Sequence, residues 1–200
     1  ENIAKLFIRG IEGCSEDWQF CSKIDSDMIL PEDYFEQIFQ HFEEDDRLGI
    51  GSGTCFIIKR GRKIIESVVE DHTRGGLKTY RLSCFQAIGG IPPVDGWDGI
   101  DNAKAQMKGW VTRNFAKPQV HHRRETGKYQ GIINSSFEIG MRSHFMGYSF
   151  TFMTVKSGHH ALAMRRPFSA AAMMLGFIFS VLKRDKRYYE SDVIGFIRKR

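Results

Sequence analysis

Apolar and polar positions change their period several times along this chain of 200 residues. From Asp17 to Ile24 they alternate, with Trp18 and Phe20 on one face, which predicts a strand. Phe35, Ile38, Phe39 and Phe42 then recur at i, i+3, i+4 and i+7, the signature of one helix face. Pro31 opens that helix, and Glu32 and Asp33 suit the positive end of its dipole. Residues 48–58 and 63–69 read as two strands joined by the turn Lys59-Arg60-Gly61-Arg62. Arg74-Gly75-Gly76 reads as a flexible loop. Residues 80–88 read as a helix that stops at Gly89-Gly90, with Pro92-Pro93 forcing extended chain beyond it. Another helix runs from about Asp98 to Lys108, because Ile100, Ala103 and Met107 share a face and Gly109 ends it. Two short strands follow, one over Trp110 to Phe115 and one ending in Val120-His121-His122. Strands alternating with helices predict an α/β fold.

The remainder differs in kind. Phe137, Met141, Phe145 and Tyr148 mark a helix, and Phe168 to Leu182 is an apolar run of fifteen residues between Arg165-Arg166 and Lys183-Arg184. A single membrane span needs ~20 apolar residues, so this run is short for one. Basic brackets around an apolar helix suit an interfacial location, and a buried core helix is the alternative. Residues 123–131 form the expected hinge, which divides the chain into a core over 1–130 and a helical, basic tail over 131–200.

Charge sharpens that division. The chain is 42% hydrophobic and 26% charged, as a globular protein is, with a formal net charge of +5. Residues 156–200 hold ten Lys/Arg against three Asp/Glu, a net of +7, so the first 155 residues carry −2. A basic tail suits an anionic membrane surface or a nucleic acid. Nucleic acid is disfavoured, because its binding calls for stacking aromatics in a basic groove rather than an apolar run. Cys14, Cys21, Cys55 and Cys84 form no Cys-x-x-Cys pair and read as buried, reduced thiols, which points to a reducing compartment. No secretory signal pattern stands at Glu1, which fits a cytoplasmic chain and a truncated start equally well.

The candidate chemistry begins with Asp25-Ser26-Asp27. Two carboxylates at the C-terminal end of a strand, before a helix, lie where α/β sheets bind ligands. Together with substrate phosphates they form a typical Mg²⁺ site, and an Asx turn is the plain alternative. Asp98 opens a helix, either as an N-cap or as a general base kept ionised by the dipole. Asp101, one turn on, competes for the second role. Of His121 and His122, adjacent on a strand, one at most faces a site, where it would complete a metal centre, and a surface histidine pair is the plain alternative. Arg123, Arg124 and Lys128 follow as cations for a departing diphosphate, or as a solvated loop. His144, His159 and His160 have no acidic companions and read as structural or surface residues.

In this order the motifs resemble the inverting family 2 glycosyltransferases of the GT-A fold. Lys23-Ile-Asp-Ser-Asp27 with Leu30-Pro31 looks like the family's Asp-x-Asp motif and the helix after it. Arg74-Gly-Gly-Leu-Lys-Thr-Tyr-Arg81 and Cys84-Phe-Gln-Ala-Ile-Gly-Gly90 resemble the middle segment. Gly96-Trp-Asp-Gly-Ile-Asp101, running on to Gly109-Trp110, resembles the segment of the catalytic base, with Trp97 in place of the usual Glu. Val120-His121-His122 resembles the family's Val-x-His.

The resemblance implies a GT-A-like core with a C-terminal helical tail. It also implies a metal-dependent, inverting sugar transfer from a nucleotide-diphosphate sugar, a UDP-sugar in the first instance. The acceptor would be a hydroxyl of a polysaccharide, lipid or other glycan. By the same resemblance Asp27 and His122 hold Mn²⁺ or Mg²⁺ with help from Asp25. Ser26, Arg123 and Arg124 join Asp25 and Asp27 on the donor. Asp98 is the base, with Asp101 as alternative, and Trp97 and Asp101 meet the acceptor. Only 24 residues precede Asp25. The resemblance therefore implies that the first strands of the sheet and part of the nucleotide pocket lie upstream of Glu1, and that this piece alone binds the donor base poorly. The implied location is cytoplasmic, at the inner face of the membrane. The competing expectation is a non-catalytic membrane-surface module, or an inactive glycosyltransferase fragment.

Overall fold

The computed structural model describes residues 3–14, 17–66, 69–123 and 131–199, and the chain divides into two units, Glu1–Glu125 and Thr126–Arg200. The first unit runs α1 (Ile3–Glu12), β1 (Phe20–Ile24), β2 (Met28–Ile29), α2 (Tyr34–Glu44), β3 (Leu48–Lys59), β4 (Arg62–Ile65), β5 (Leu77–Arg81), α3 (Leu82–Ala87), α4 (Trp97–Met107) and β6 (Val111–His122). The strands form one mixed sheet in the order β1-β5-β3-β6-β2, with β4 also paired to β3. β3 is parallel to β6 and antiparallel to β4 and β5, while β1 pairs antiparallel with β5.

The core lies on both faces of β3, whose first eight residues are buried. On one side Tyr34, Ile38 and Phe42 of α2 pack with Leu48, Leu77 and Val120. On the other, Ala4, Tyr80, Cys84, Ile88, Trp97 and Ala105 enclose Ile50. Gly53 allows the close approach within β3, since a Cβ there would stand 2.4 Å from the Pro118 carbonyl oxygen. Around this contact the β3–β6 register shifts, so that Gly53 opposes Phe115 and Thr54 opposes Gln119.

Several sequence expectations are corrected. The helix expected over 80–88 is shorter, because Leu77–Arg81 is the interior strand β5, between β1 and β3, and α3 begins only at Leu82. β5 hides its period because Lys78 and Thr79 are fully buried beside Leu77 and Tyr80. The two strands expected between Trp110 and His122 are the single strand β6, broken only in register. In α2, Asp33 takes the N-cap position and Glu36 is the acid of the first turn. The hinge expected over 123–131 falls mostly on residues 124–130, outside the described residues.

Cys21, Cys55 and Cys84 are pushed up by burial, to about 12, 11 and 12. Cys14 is exposed, and all four thiols are free.

The second unit is helical: α5 (Ile132–Phe145), α6 (Phe150–Leu162), α7 (Pro167–Leu182) and α8 (Ser191–Lys199). The helix expected to include Tyr148 ends at Phe145, and Gly147 turns the chain with φ at 86°. Ser149 caps α6 by accepting from the Phe152 N–H at 3.1 Å, and Pro167 sits in the first turn of α7, where no N–H is needed. The apolar run is thus α7, and it presents two faces. One buries Met173, Gly176 and Phe177, while Phe168, Leu175 and Leu182 on the other stay exposed. No described helix is long and apolar enough to cross a membrane.

α5 and α7 meet backbone to backbone. A Cβ on Gly140 would stand 1.9 Å from the Met173 carbonyl oxygen, and one on Gly176 would stand 2.0 Å from that of Phe137. Gly140→Ala should therefore force the helices apart and cost about 1–3 kcal/mol, the usual scale of overpacking. Gly158→Ala, in α6 where nothing lies within 4 Å, should gain up to about 1 kcal/mol through helix propensity. Urea denaturation of both variants checks the contrast, and equal midpoints would refute the packing.

Candidate active site

The site is assembled where three chain segments meet at the ends of β1 and β6. The Asp25 N–H donates to the Gly76 carbonyl at 2.9 Å, and the Met28 N–H closes the Asp-Ser-Asp turn onto the Asp25 carbonyl at 3.1 Å. Met28 and Ile29 then pair with His122 and His121. The Arg123 N–H donates to the Asp27 carbonyl at 2.9 Å, which locks the turn to the end of β6. Alternation along β6 separates the two histidines. His121 stacks on Phe56 at 5.2 Å, whereas His122 turns Nε2 toward Asp27 Oδ2 at 3.6 Å.

The other ring nitrogen of His122 is also committed. Nδ1 lies 2.9 Å from Glu66 Oε2, and the same oxygen accepts from Arg74 Nη1 at 2.6 Å. Sequence reasoning missed Glu66, Arg74 and Lys23. Glu66 belongs to no local motif and lies 56 residues from His122. Only strand register brings them together, because Phe56 of β3 opposes Ile65 on one edge and His121 on the other.

Gly75 and Gly76 link the carboxylates. A Cβ on Gly75 would stand 2.8 Å from Asp98 Oδ2, and one on Gly76 would stand 2.5 Å from Asp25 Oδ2. Adjacent glycines thus lie against the two acidic segments. The loop read as flexible is a packed spacer whose missing side chains let both carboxylates in. Asp25 is additionally paired with the buried ammonium of Lys23. Ser26 and Arg123 are exposed beside the turn, and Arg124 lies outside the described residues. A cleft of about 1010 Å³ opens along β1, walled by Ile3, Leu6 and Phe7 of α1 and ending at Asp25, Ser26 and Asp27.

Asp98 and Asp101 have contrasting surroundings. Asp98 stands in the first turn of α4, but it does not cap the helix: Gly96 does, with φ at 76°. Its carbonyl accepts from Lys78 Nζ at 2.6 Å and from Asn102 Nδ2 at 2.7 Å, which fixes the helix start, and its side chain is half-buried. Asp101 is fully buried. Its oxygens accept from Lys78 Nζ at 2.6 Å, Tyr80 Oη at 2.5 Å and the Asn102 N–H at 2.6 Å. Burial pushes the Asp101 carboxyl up from its ordinary value, and Lys78 opposes that push. Trp97 is 7% exposed, with its ring beside the ammonium groups of Lys78 and Lys23 at 5.3 and 5.6 Å. Both residues expected to meet the acceptor are thus buried, and the Asp101 oxygens are taken up by Lys78, Tyr80 and the Asn102 N–H.

Among the described residues no three His, Cys, Asp or Glu side chains group as a metal cage. Asp25 is drawn to Lys23, so Asp27 and His122 are the pair that remains. Two protein ligands with substrate phosphates completing the shell suit Mg²⁺ or Mn²⁺, and an imidazole fixed through its second nitrogen is the usual form of a metal-ligating histidine. The residues present therefore fit a divalent cation.

No protein-family model matches this sequence, and no curated protein matches it either. Among solved structures the chain is similar to the mannosyltransferase PcManGT from Pyrobaculum calidifontis, determined in complex with GDP-Man and Mn²⁺. The TM-score is 0.55 at 12% identity, over 96% of this chain and 57% of that one. This chain thus spans a little over half of that neighbour's length. The likeness defines the class of fold: a mixed α/β nucleotide-sugar glycosyltransferase fold followed by C-terminal helices.

Removing Lys78 would strand Asp101 as a buried unpaired charge. Lys78→Met should cost about 3–5 kcal/mol, as breaking a buried pair typically does, and Lys78→Met with Asp101→Leu should recover part of it. Chemical denaturation followed by far-UV circular dichroism measures both, and a single variant as stable as the parent would refute the pairing.

Proposed function

We propose that the complete protein is a metal-dependent glycosyltransferase of the inverting family 2 type. It would move a sugar from a nucleotide-diphosphate donor to an acceptor hydroxyl of a polysaccharide, lipid-linked or other glycan. The reading rests on one observation above all: Asp27 with His122, and Asp98 across Gly75-Gly76, gather at one end of the strands in a glycosyltransferase-like fold. The neighbour's GDP-Man makes a GDP-linked donor worth testing beside a UDP-linked one.

Asp27 Oδ2 and His122 Nε2 would hold Mn²⁺ or Mg²⁺ on the donor diphosphate. The cation supplies Lewis-acid stabilisation of charge on the leaving diphosphate. Asp25, tethered by Lys23, supports the turn and limits the freedom of Ser26 and Asp27. Arg123 is exposed where the diphosphate would depart and offers a charge-assisted contact. Asp98 acts as general base. From the first turn of α4 its side chain takes the acceptor's proton as the hydroxyl oxygen bonds to the anomeric carbon. The bond to the diphosphate oxygen breaks on the opposite face, so configuration inverts.

Asp98→Asn in the full-length protein should lower transfer by ~10²–10⁴-fold, the usual contribution of general base catalysis. Donor and Mn²⁺ binding should persist. Radiolabelled sugar transfer with UDP- and GDP-linked donors reads the first, calorimetry the second, and unchanged turnover would sink the assignment.

For the second unit we propose contact with an anionic membrane surface. The supporting observation is the exposed apolar face of α6 and α7, with Phe150, Val155, Phe168, Leu175 and Leu182, beside Arg165, Arg166, Lys183 and Arg184. An apolar face with basic flanks lies in the headgroup boundary rather than across the bilayer. The chain should float with vesicles containing phosphatidylglycerol and less with neutral ones. Phe168→Glu combined with Leu175→Glu should abolish flotation without altering the helical spectrum, whereas flotation independent of these side chains would overturn the contact.

A further inference from the structure

We infer that Glu66 is a positioning residue. It holds His122 in the tautomer that turns a bare Nε2 toward Asp27, and Arg74 holds Glu66 for that task. The inference rests on the proposed reading of Asp27 and His122 as cation ligands.

A neutral imidazole carries one proton, and the hydrogen bond made by one nitrogen sets the state of the other. Nδ1 of His122 lies 2.9 Å from Glu66 Oε2. A carboxylate only accepts, so the proton belongs on Nδ1 and the lone pair on Nε2. Nε2 then faces Asp27 Oδ2 at 3.6 Å, too long for a hydrogen bond. A cation shared between these two electron-pair donors would satisfy both. Carboxylate partners of this sort orient metal-ligating histidines, and losing one typically costs ~10–100-fold in metal affinity.

Glu66 is itself fixed. Its Oε2 accepts from Arg74 Nη1 at 2.6 Å, with the two side chains 12% and 19% exposed. Its N–H donates to the Cys55 carbonyl at 2.9 Å, which ties it to β3. Arg74 in turn precedes Gly75 and Gly76, and its own N–H donates to Ser52 Oγ at 3.3 Å. The segment that spaces Asp25 from Asp98 therefore also sets the angle of the histidine ring.

The test uses the whole chain with Mn²⁺ alone as probe, free ion being read by electron paramagnetic resonance. ¹⁵N NMR above the histidine titration range reads the His122 tautomer. Glu66→Ala and the isosteric Glu66→Gln should weaken Mn²⁺ binding ~10–100-fold, and Glu66→Ala should shift the proton from Nδ1 to Nε2. Asp27→Asn, which keeps Glu66, should lose the ion with the tautomer unchanged. Parental Mn²⁺ affinity and tautomer in both Glu66 variants, while Asp27→Asn loses the ion, would overturn the role of Glu66 and leave the cation site standing. Parental protein that shows no Asp27-dependent binding would overturn the cation site and, with it, the role given to Glu66. Should Glu66→Ala lose its fold by circular dichroism, the Mn²⁺ affinity of Glu66→Gln decides: a weakened ion supports the role of Glu66, and parental affinity overturns it.

Discussion

The close approach of the backbone at Gly75 and Gly76 to two carboxylates is the constraint on which the site depends. Any Cβ at either position would fall within 3 Å of an Asp oxygen, a distance that forces one partner to move. Because the two glycines are adjacent, the segment bearing Asp25 and the helix start bearing Asp98 are held about one residue apart along the same stretch of chain. The preceding residue, Arg74, reaches the opposite way to Glu66 and hence to His122. One short segment thus sets the spacing among a turn, a helix and a strand end that are far apart in sequence.

The core supplies rigidity to that arrangement. Lys78 follows the glycines by two residues and lies on the interior strand β5, where it bonds both the carbonyl of Asp98 and the carboxylate of Asp101. A buried ion pair is weak evidence of stability, because desolvation offsets much of the attraction. Its value here is positional. An apolar pair could fill the same space, but it would not fix the first turn of α4 against β5 through the Asp98 carbonyl. The second unit solves its packing differently, with glycines that let α5 and α7 meet at their backbones and leave large apolar side chains on the far face.

Much of this was legible in the sequence, for physical reasons that can be named. Phe35, Ile38, Phe39 and Phe42 announce α2 because one face is buried, and β3 with β4 is announced by two apolar runs around a turn. The placement of Asp25 and Asp27 at a strand end, and of His122 at another, was also readable from spacing. β5 was not, since its buried Lys78 finds its counter-charge 23 residues later and so mimics a surface position. Asp101 stayed an open alternative to Asp98 for the same reason: a buried, saturated carboxylate and a poised one look alike in sequence. Glu66 was invisible because only the register on both edges of β3 delivers it to His122.

Asp27 and His122 are proposed to bind a divalent cation against a nucleotide diphosphate, with Asp98 beside it. Anomalous diffraction at the manganese edge, from crystals of the full-length protein grown with Mn²⁺ and a nucleoside diphosphate, tests it most directly. One anomalous peak is expected in contact with Asp27 Oδ2 and His122 Nε2, with diphosphate oxygens completing its shell and Asp98 on the open side. A peak held by other residues, or a diphosphate bound with no ion between it and these two side chains, would contradict it.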